Sequence, residues 1–147
     1  MSTYSCLRFH LVFSTKERRR WICEDWESRL HAYMGGFFRR CDAIPIRIGG
    51  VEDHVHCLFS LKPSHVIPDL VRELKKTASR WVHETIGYRP FRWQDGYAIF
   101  SVSPSICDRV AAYIANQRVH HRRLPFRDEL RSMLDAAGVQ YDPKYLE

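Results

Sequence analysis

Residues 54–61 read HVHCLFSL, and their strict alternation predicts a β-strand at the centre of the fold. One face of this strand carries the apolar side chains of Val55, Cys57, Phe59 and Leu61. Because that face is expected to be buried under helices, His54 and His56 are expected to open onto the free face of the sheet. Side chains two residues apart on a strand point the same way, so two imidazoles at this spacing can hold one metal ion. The alternative is a pair of polar residues on a solvated face.

The elements around this strand follow from the spacing of apolar residues. Alternation predicts strands over 5–14, around 44–48 and near 92–102, and helical spacing predicts helices over about 24–40, 68–86 and 104–121. The order β-α-β-β-α-β-α is that of an α+β, ferredoxin-like split β-α-β sheet. We therefore expect about four to five antiparallel strands with helices on one face and a further C-terminal helix.

The rest of the chain gives a weaker pattern. A tail begins at about residue 124, with a short helix predicted near 128–134 and an extended segment after it. No repeat, low-complexity tract or break in composition divides the sequence. Residues 1–147 are therefore predicted to form a single domain.

Composition limits the classes of function. The 147 residues carry a net charge of +6, and basic residues cluster at 16–20, 72–80 and 118–123. Any one cluster is consistent with a solvated face, but three together favour nucleic acid as a partner. Five cysteines without a CxxC pair argue against a disulfide framework and for a reducing cytoplasm. The sequence shows no secretion signal, no membrane-spanning stretch and no glycine loop for a nucleotide.

A second group of chemically active residues lies in AAYIANQRVHH, residues 111–121. Helical spacing places Tyr113 and Gln117 one turn apart on one face. Tyr113 has an alternative interpretation as a core aromatic, whereas a buried Gln117 needs hydrogen-bond partners or a metal. His120 is a spare candidate ligand near the same face. His121 and the arginines that follow it are predicted to meet solvent or phosphate.

Together these motifs resemble the small single-tyrosine HUH transposases of bacterial insertion sequences, including the REP-associated tyrosine transposases. The resemblance is carried, in order, by FHLVFSTK (9–16), GGVEDHVHCLFSL (49–61), LVRELKKTASRWVHE (70–84), WQDGYAIFSVS (93–103), YIANQRVHHR (113–122) and YDPKYL (141–146). In the name of the class, U is the hydrophobic residue between the two histidines, which is Val55 here.

The resemblance implies a metal-dependent transposase that cleaves and rejoins single-stranded DNA. Tyr113 would be the nucleophile and would form a 5′-phosphotyrosine, and the helix that bears it would be the C-terminal helix of the fold. His54, His56 and Gln117 would hold a divalent metal, Mg²⁺ or Mn²⁺. The resemblance also implies a homodimer whose active sites are shared between subunits, and a DNA hairpin at the transposon ends as substrate.

Basic residues beside the predicted second helix and first loop are candidate phosphate contacts of such a hairpin. They are Lys16, Arg18, Arg72, Lys75, Lys76 and Arg80. Two other functions are consistent with the same residues. One is a non-cleaving or domesticated hairpin-binding protein of this fold, and the other is a related HUH enzyme that initiates replication or conjugation.

Overall fold

A four-stranded antiparallel sheet forms the centre of the fold in the computed structural model, which describes residues 2–121 and 124–146. The strands are β1 (Leu7–Ser14), β2 (Ile44–Val51), β3 (His54–Leu61) and β4 (Ala98–Ser101), in the spatial order β2-β3-β1-β4. Strand β3 lies between β1 and β2, and the connection from β1 to β2 runs through a helix. This is the predicted split β-α-β sheet, and the predicted fold class is confirmed.

Helices cover the two faces of the sheet with different residues. The helices are α1 (Glu24–Arg40), α2 (Ile67–Trp81), α3 (Cys107–Ala115), α4 (Gln117–His120) and α5 (Phe126–Ala136). Helices α1 and α2 bury the apolar face, where Phe38 stacks on Phe59 with ring centroids 4.5 Å apart. The histidine face receives α3, whose Ile114 packs on Leu58. No helix in the described ranges is long and apolar enough to cross a membrane.

Two predicted elements differ from the structure. Only residues 98–101 of the predicted strand 92–102 are a strand, because Gly96 takes a φ of 82° and turns the chain before it. The predicted single helix over 104–121 is divided at Asn116, whose φ of −100° and ψ of 20° lie outside helical geometry. Its backbone N–H is shared between the carbonyls of Ala112 and Tyr113, which tightens the turn at that point.

Close contact between β2 and α3 depends on the absence of a side chain at Gly49. A Cβ there would lie 2.5 Å from the carbonyl oxygen of Ile114 and 2.9 Å from its Cγ2. We expect Gly49→Ala to lower the free energy of unfolding by about 1–3 kcal/mol, as overpacking of a rigid contact does. Urea denaturation measures this loss.

Gly35 provides the matched control for this substitution. It lies within α1, and a Cβ there would be 3.8 Å from its nearest neighbours. Gly35→Ala should therefore leave stability unchanged or raise it by about 0.5–1 kcal/mol, since alanine favours helix. Equal stability of Gly49→Ala and the wild type would contradict the close packing of α3 on β2.

Candidate active site

The predicted metal ligands and the predicted nucleophile meet on the histidine face of the sheet. Strand β3 positions His54 and His56, α3 ends just after Tyr113, and α4 begins with Gln117. The side-chain oxygen of Gln117 lies 3.0 Å from Nε2 of His54. The ring of Tyr113 packs edge-on against the ring of His56, with centroids 5.9 Å apart. His54 and Gln117, which are 63 positions apart in the sequence, are thus in direct hydrogen-bond contact.

A carboxylate from α5, Glu129, lies at the centre of this arrangement. Its Oε2 accepts hydrogen bonds from the hydroxyl of Tyr113 and, at 3.0 Å, from Nε2 of Gln117. Its Oε1 lies 3.2 Å from Nε2 of His56 and 3.1 Å from Nε2 of His121. Only 1% of Glu129 is exposed. We call Glu129 and the residues around it, His54, His56, Tyr113, Gln117 and His121, the Glu129 cluster.

His54 is held between two acceptors. Its Nδ1 lies 2.7 Å from a carboxylate oxygen of Asp53, and its Nε2 faces the amide oxygen of Gln117 and the Glu129 carboxylate. Burial opposes the charged ring, but the bonds to Asp53 and Glu129 outweigh it and raise the pKa of His54 to about 9. His54 is therefore an imidazolium at neutral pH when no metal is bound.

His56 is held by a second histidine, His10 of β1. Nε2 of His10 lies 2.7 Å from Nδ1 of His56, and both rings are buried. Burial lowers the pKa of His56 to about 4. Burial also lowers the pKa of His10 to about 3, and repulsion from a protonated His56 lowers it further. Both rings are therefore neutral at pH 7. His10 fixes the orientation of His56, as the outer hydrogen-bond partners of metal-ligating histidines do.

Glu129 is charged despite its burial. Burial would raise the pKa of its carboxyl, but hydrogen bonds from His121, His54 and His56 outweigh this and hold the pKa far below its usual range. The opposite shift occurs at Tyr113, where burial and then the hydrogen bond to Glu129 raise the pKa of the hydroxyl. The cluster therefore contains a carboxylate that accepts from a fully protonated phenol.

The donor atoms in the cluster fit a divalent cation. Nitrogen ligands of His54, His56 and His121 and an oxygen of Glu129 all lie within 4.8 Å of one another. Neighbouring donors bound at about 2.1 Å to one ion lie roughly 3 Å apart, and Nε2 of His54 lies 3.0 Å from the amide oxygen of Gln117 and 3.4 Å from Oε1 of Glu129. In addition, the buried Nε2 of His120 has no hydrogen-bond partner among the residues that the structure describes and lies 3.6 Å from Glu129. This mixed set of nitrogen and oxygen donors is compatible with a divalent metal ion.

Loading this site with a cation should release a proton. His54 is protonated at pH 7 and must lose its proton to become a ligand, whereas His56 is already neutral. Binding of Mn²⁺ should therefore release about one proton per ion, and its affinity should rise about tenfold per unit between pH 6 and 8. Titration calorimetry in buffers of different ionisation enthalpy measures the number.

Asp53→Asn is the control for this prediction. It removes the carboxylate that helps to raise the pKa of His54, so proton release at pH 7 should fall well below one. Binding heats that are identical in all buffers would contradict the assignment of an imidazolium at His54.

Two expectations about exposure are wrong. His54 and His56 do not open onto a free face, because both are 0% exposed beneath α3, α4 and α5. His121 does not point to solvent but into the cluster, where it bonds Glu129. The reason in both cases is α5, whose buried residues Phe126, Glu129 and Leu134 cover the face. The prediction for Arg122 and Arg123 lies outside the described residues.

The candidate DNA-binding residues fall into two groups. Arg72, Lys75 and Lys76 line one groove of about 400 Å³ between α2 and residues 93–97. Lys75 lies partly under that loop and donates to the carbonyl of Gln94 at 2.9 Å. Arg80 is exposed one turn further along α2. Lys16 and Arg18 do not line this groove but lie on a short 3₁₀ turn after β1.

Two site residues were missed in the sequence, Glu129 and His10. A signal for Glu129 exists, since it shares the buried face of α5 with Phe126 and Leu134, where a charged residue is unusual. His10 lies on the same strand face as Val12, which the sheet register pairs with His56. That register is visible only in the folded sheet.

The fold and the site together define an HUH class of transposase, with a histidine pair on the central strand and a tyrosine-bearing helix over it. Residues 3–117 match the family described as "Transposase IS200 like". The chain belongs to this family.

Three proteins similar to this chain are also described as transposases. The ISDra2 transposase TnpA of Deinococcus radiodurans is 25% identical over 119 residues, which cover 76% of this chain and 84% of that protein. A crystal structure of a proposed transposase from Deinococcus radiodurans superposes with a TM-score of 0.64 and 24% identity, covering 80% of this chain and 95% of that one. A REP-associated tyrosine transposase bound to a REP hairpin superposes with a TM-score of 0.61 and 17% identity, covering 82% and 74%. Both structures share the fold.

Proposed function

We propose that this transposase cleaves and rejoins single-stranded DNA through a covalent link to Tyr113. The observation that carries the proposal is the Glu129 cluster, in which the hydroxyl of Tyr113 and the donors of His54, His56 and Gln117 converge on one buried carboxylate. The phenolic oxygen would attack phosphorus and break the bond to the 3′-oxygen. The products are a 5′-phosphotyrosine and a free 3′-hydroxyl, and the reverse attack rejoins the strand.

His54, His56 and Gln117 would hold Mg²⁺ or Mn²⁺, with His121 and Glu129 as further donors. When bound, the cation supplies charge stabilisation for the phosphate undergoing substitution. Tyr113 must lose its hydroxyl proton in order to attack. Burial and Glu129 oppose this loss because they raise the pKa of that hydroxyl. In the metal-free site this proton lies on the hydrogen bond from Tyr113 to Glu129.

Access to the nucleophile is provided by a cleft beside α3. It has a volume of about 340 Å³ and is lined by His10, Val110, Tyr113 and Met133 among others. This cleft opens Tyr113 to solvent, whereas His54 and His56 stay covered by α5. A phosphodiester can therefore contact Tyr113 and the pair His54 and His56 at the same time only if α5 shifts away from β3.

Hairpin recognition is the third part of the proposal. The groove lined by Arg72, Lys75 and Lys76 places three cations beside the partly exposed ring of Tyr97. Cations of this kind fix the register of a nucleic-acid backbone, and aromatic rings stack on unpaired bases. The similar REP-associated transposase was solved with a REP hairpin, which supports a hairpin as the substrate here.

The test uses labelled single-stranded oligonucleotides from DNA flanking the gene, incubated with Mn²⁺, Mg²⁺ or EDTA and separated on denaturing gels. We expect a DNA–protein adduct that forms with a metal ion and is absent with EDTA. The same sequences in double-stranded form are the control and should give no adduct.

A second candidate function is hairpin binding without cleavage. One observation favours it, namely that His54 and His56 are 0% exposed and so out of reach of DNA while α5 is in place. Tight hairpin binding without an adduct, in every metal tested, would support this function and contradict cleavage.

A further inference from the structure

The cleft beside α3 that opens Tyr113 to solvent carries one permanent charge. Ile106, Val110 and Met133 supply apolar wall, and Arg109 is the single arginine, lysine or carboxylate among the described residues that line it. Apolar wall suits the sugar and base of a nucleotide, but the phosphate that joins two nucleotides is an anion. An anion that leaves water needs a hydrogen-bonding cation in exchange. Arg109 is the lining residue that can supply one.

Arg109 lies one helical turn before Tyr113 on α3. A spacing of four residues corresponds to a rise of about 6 Å and puts both side chains on the same helix face. Their shared position along the cleft agrees with this spacing. Gln117 follows Tyr113 after four further residues, at the start of α4. The proposed nucleophile therefore has a cation one turn before it along the chain and a candidate metal ligand one turn after it.

The guanidinium of Arg109 takes no part in holding the fold together. Arg109 is exposed and forms no ion pair or side-chain hydrogen bond within the described part of the chain. Arg118, in contrast, is bonded to Glu27 and Glu52. The donors of Arg109 are thus available to a ligand. A guanidinium presents its N–H groups in a planar fork that matches two oxygens of a phosphate.

The backbone that carries Arg109 is fixed relative to the histidine strand. Cys107 and Ile114 of α3 are buried and pack in one cluster with Leu58, which lies two residues after His56. A functional side chain keeps its geometry best when it stands on a rigid element. Only the side chain of Arg109 would therefore have to become ordered when a ligand binds.

We propose that Arg109 is a catalytic residue that donates hydrogen bonds to the non-bridging oxygens of the phosphate attacked by Tyr113. The inference rests on the proposed strand cleavage and adds a contact to it. Donors aimed at the oxygens of a transferring phosphoryl group stabilise the charge of its transition state. A guanidinium stays protonated and has no acceptor, so Arg109 acts by its charge and its donors and does not take the proton of Tyr113.

The first test measures adduct formation by Arg109→Gln, which removes the charge and keeps a polar side chain of similar shape. We expect kcat/KM to fall about 10- to 100-fold, the range for loss of a hydrogen bond to a charged group. The Kd for the hairpin alone should stay at its wild-type value, because Arg109 does not line the groove of Arg72 and Lys75. Arg109→Lys should recover part of the rate.

Arg47→Gln is the matched control. Arg47 is an exposed arginine of β2 that has no ion pair in the described ranges and does not line the cleft. Its variant should form adduct at the wild-type rate. Equal urea midpoints of both variants and the wild type establish that the fold is unchanged.

The second test measures binding without chemistry. Tyr113→Phe and the double variant Tyr113→Phe, Arg109→Gln are titrated in EDTA with a strand whose scissile bond has been mapped with the wild type. That bond carries either the natural phosphate or an uncharged methylphosphonate. The methylphosphonate should weaken binding to Tyr113→Phe about tenfold and leave the double variant unaffected, because the interacting pair is already broken there.

A lower rate of Arg109→Gln, with hairpin binding intact and the methylphosphonate effect lost, supports the role of Arg109. An unchanged rate, a loss of hairpin binding, or an equal methylphosphonate effect in both proteins would overturn it. A wild type that forms no adduct on any strand overturns the proposed cleavage, and this role with it. The wild-type adduct thus separates the two failures.

Discussion

Replacement of Tyr113 by phenylalanine should abolish the covalent DNA adduct and leave hairpin binding intact. The change removes one oxygen atom, the proposed nucleophile, and keeps the ring that packs against His56 and His10. Loss of a nucleophile lowers turnover by more than about a thousandfold, which on a denaturing gel is complete loss. Adduct yield and hairpin Kd, measured on the same preparation, give the two readouts.

Tyr141→Phe is the control, because its hydroxyl also bonds a carboxylate, Asp135, but lies on the exposed tail. It should retain full adduct formation. An adduct of undiminished yield in Tyr113→Phe would show that another residue is the nucleophile. Lost hairpin binding in that variant would show that the hydroxyl serves recognition.

Removal of the Glu129 carboxylate should cause the largest loss of stability of any single substitution in the site. Glu129→Ala leaves Tyr113 and Gln117 without their acceptor and His54 with one carboxylate instead of two. Breaking a buried ionic network by removing one partner typically costs about 3–5 kcal/mol. Urea denaturation of the metal-free protein at pH 7 measures this difference.

The pH dependence of this loss has a defined sign. The folded pKa of Glu129 lies below its ordinary value of 4.5, so its contribution is present above pH 4.5 and declines as the pH falls. The stability difference between wild type and Glu129→Ala should therefore shrink below about pH 4.5. Asp128→Ala, an exposed neighbour in α5, should show almost no loss at any pH. A difference that stays constant down to pH 3 would contradict a charged Glu129.

The order of the elements could be predicted from the sequence because it depends on local patterns. Alternation in HVHCLFSL and helical spacing around Trp26 and Leu74 are properties of single elements, and the structure confirms them. Tyr113 and Gln117 could be paired for the same reason, since they lie one turn apart. Their meeting with His54 was expected only from the family resemblance.

The environment of the site depends on contacts between distant segments and was not predictable in this way. Glu129 is 73 residues from His56, and His10 is 46 residues from it. Neither contact has a local signature that fixes its partner. The prediction that His54 and His56 lie on a free face of the sheet was wrong for this reason. Nothing near His54 in the sequence shows that α5 packs over it.

The two edges of the sheet are both poorly suited to pairing with another chain. Strand β2 has a proline at position 45, which has no N–H to donate, and its ladder is irregular between Pro45 and Arg47. Strand β4 is only four residues long. Short and irregular edges protect natural sheets from joining edge to edge. Both edges of the described sheet therefore disfavour open-ended β-pairing between copies of the chain.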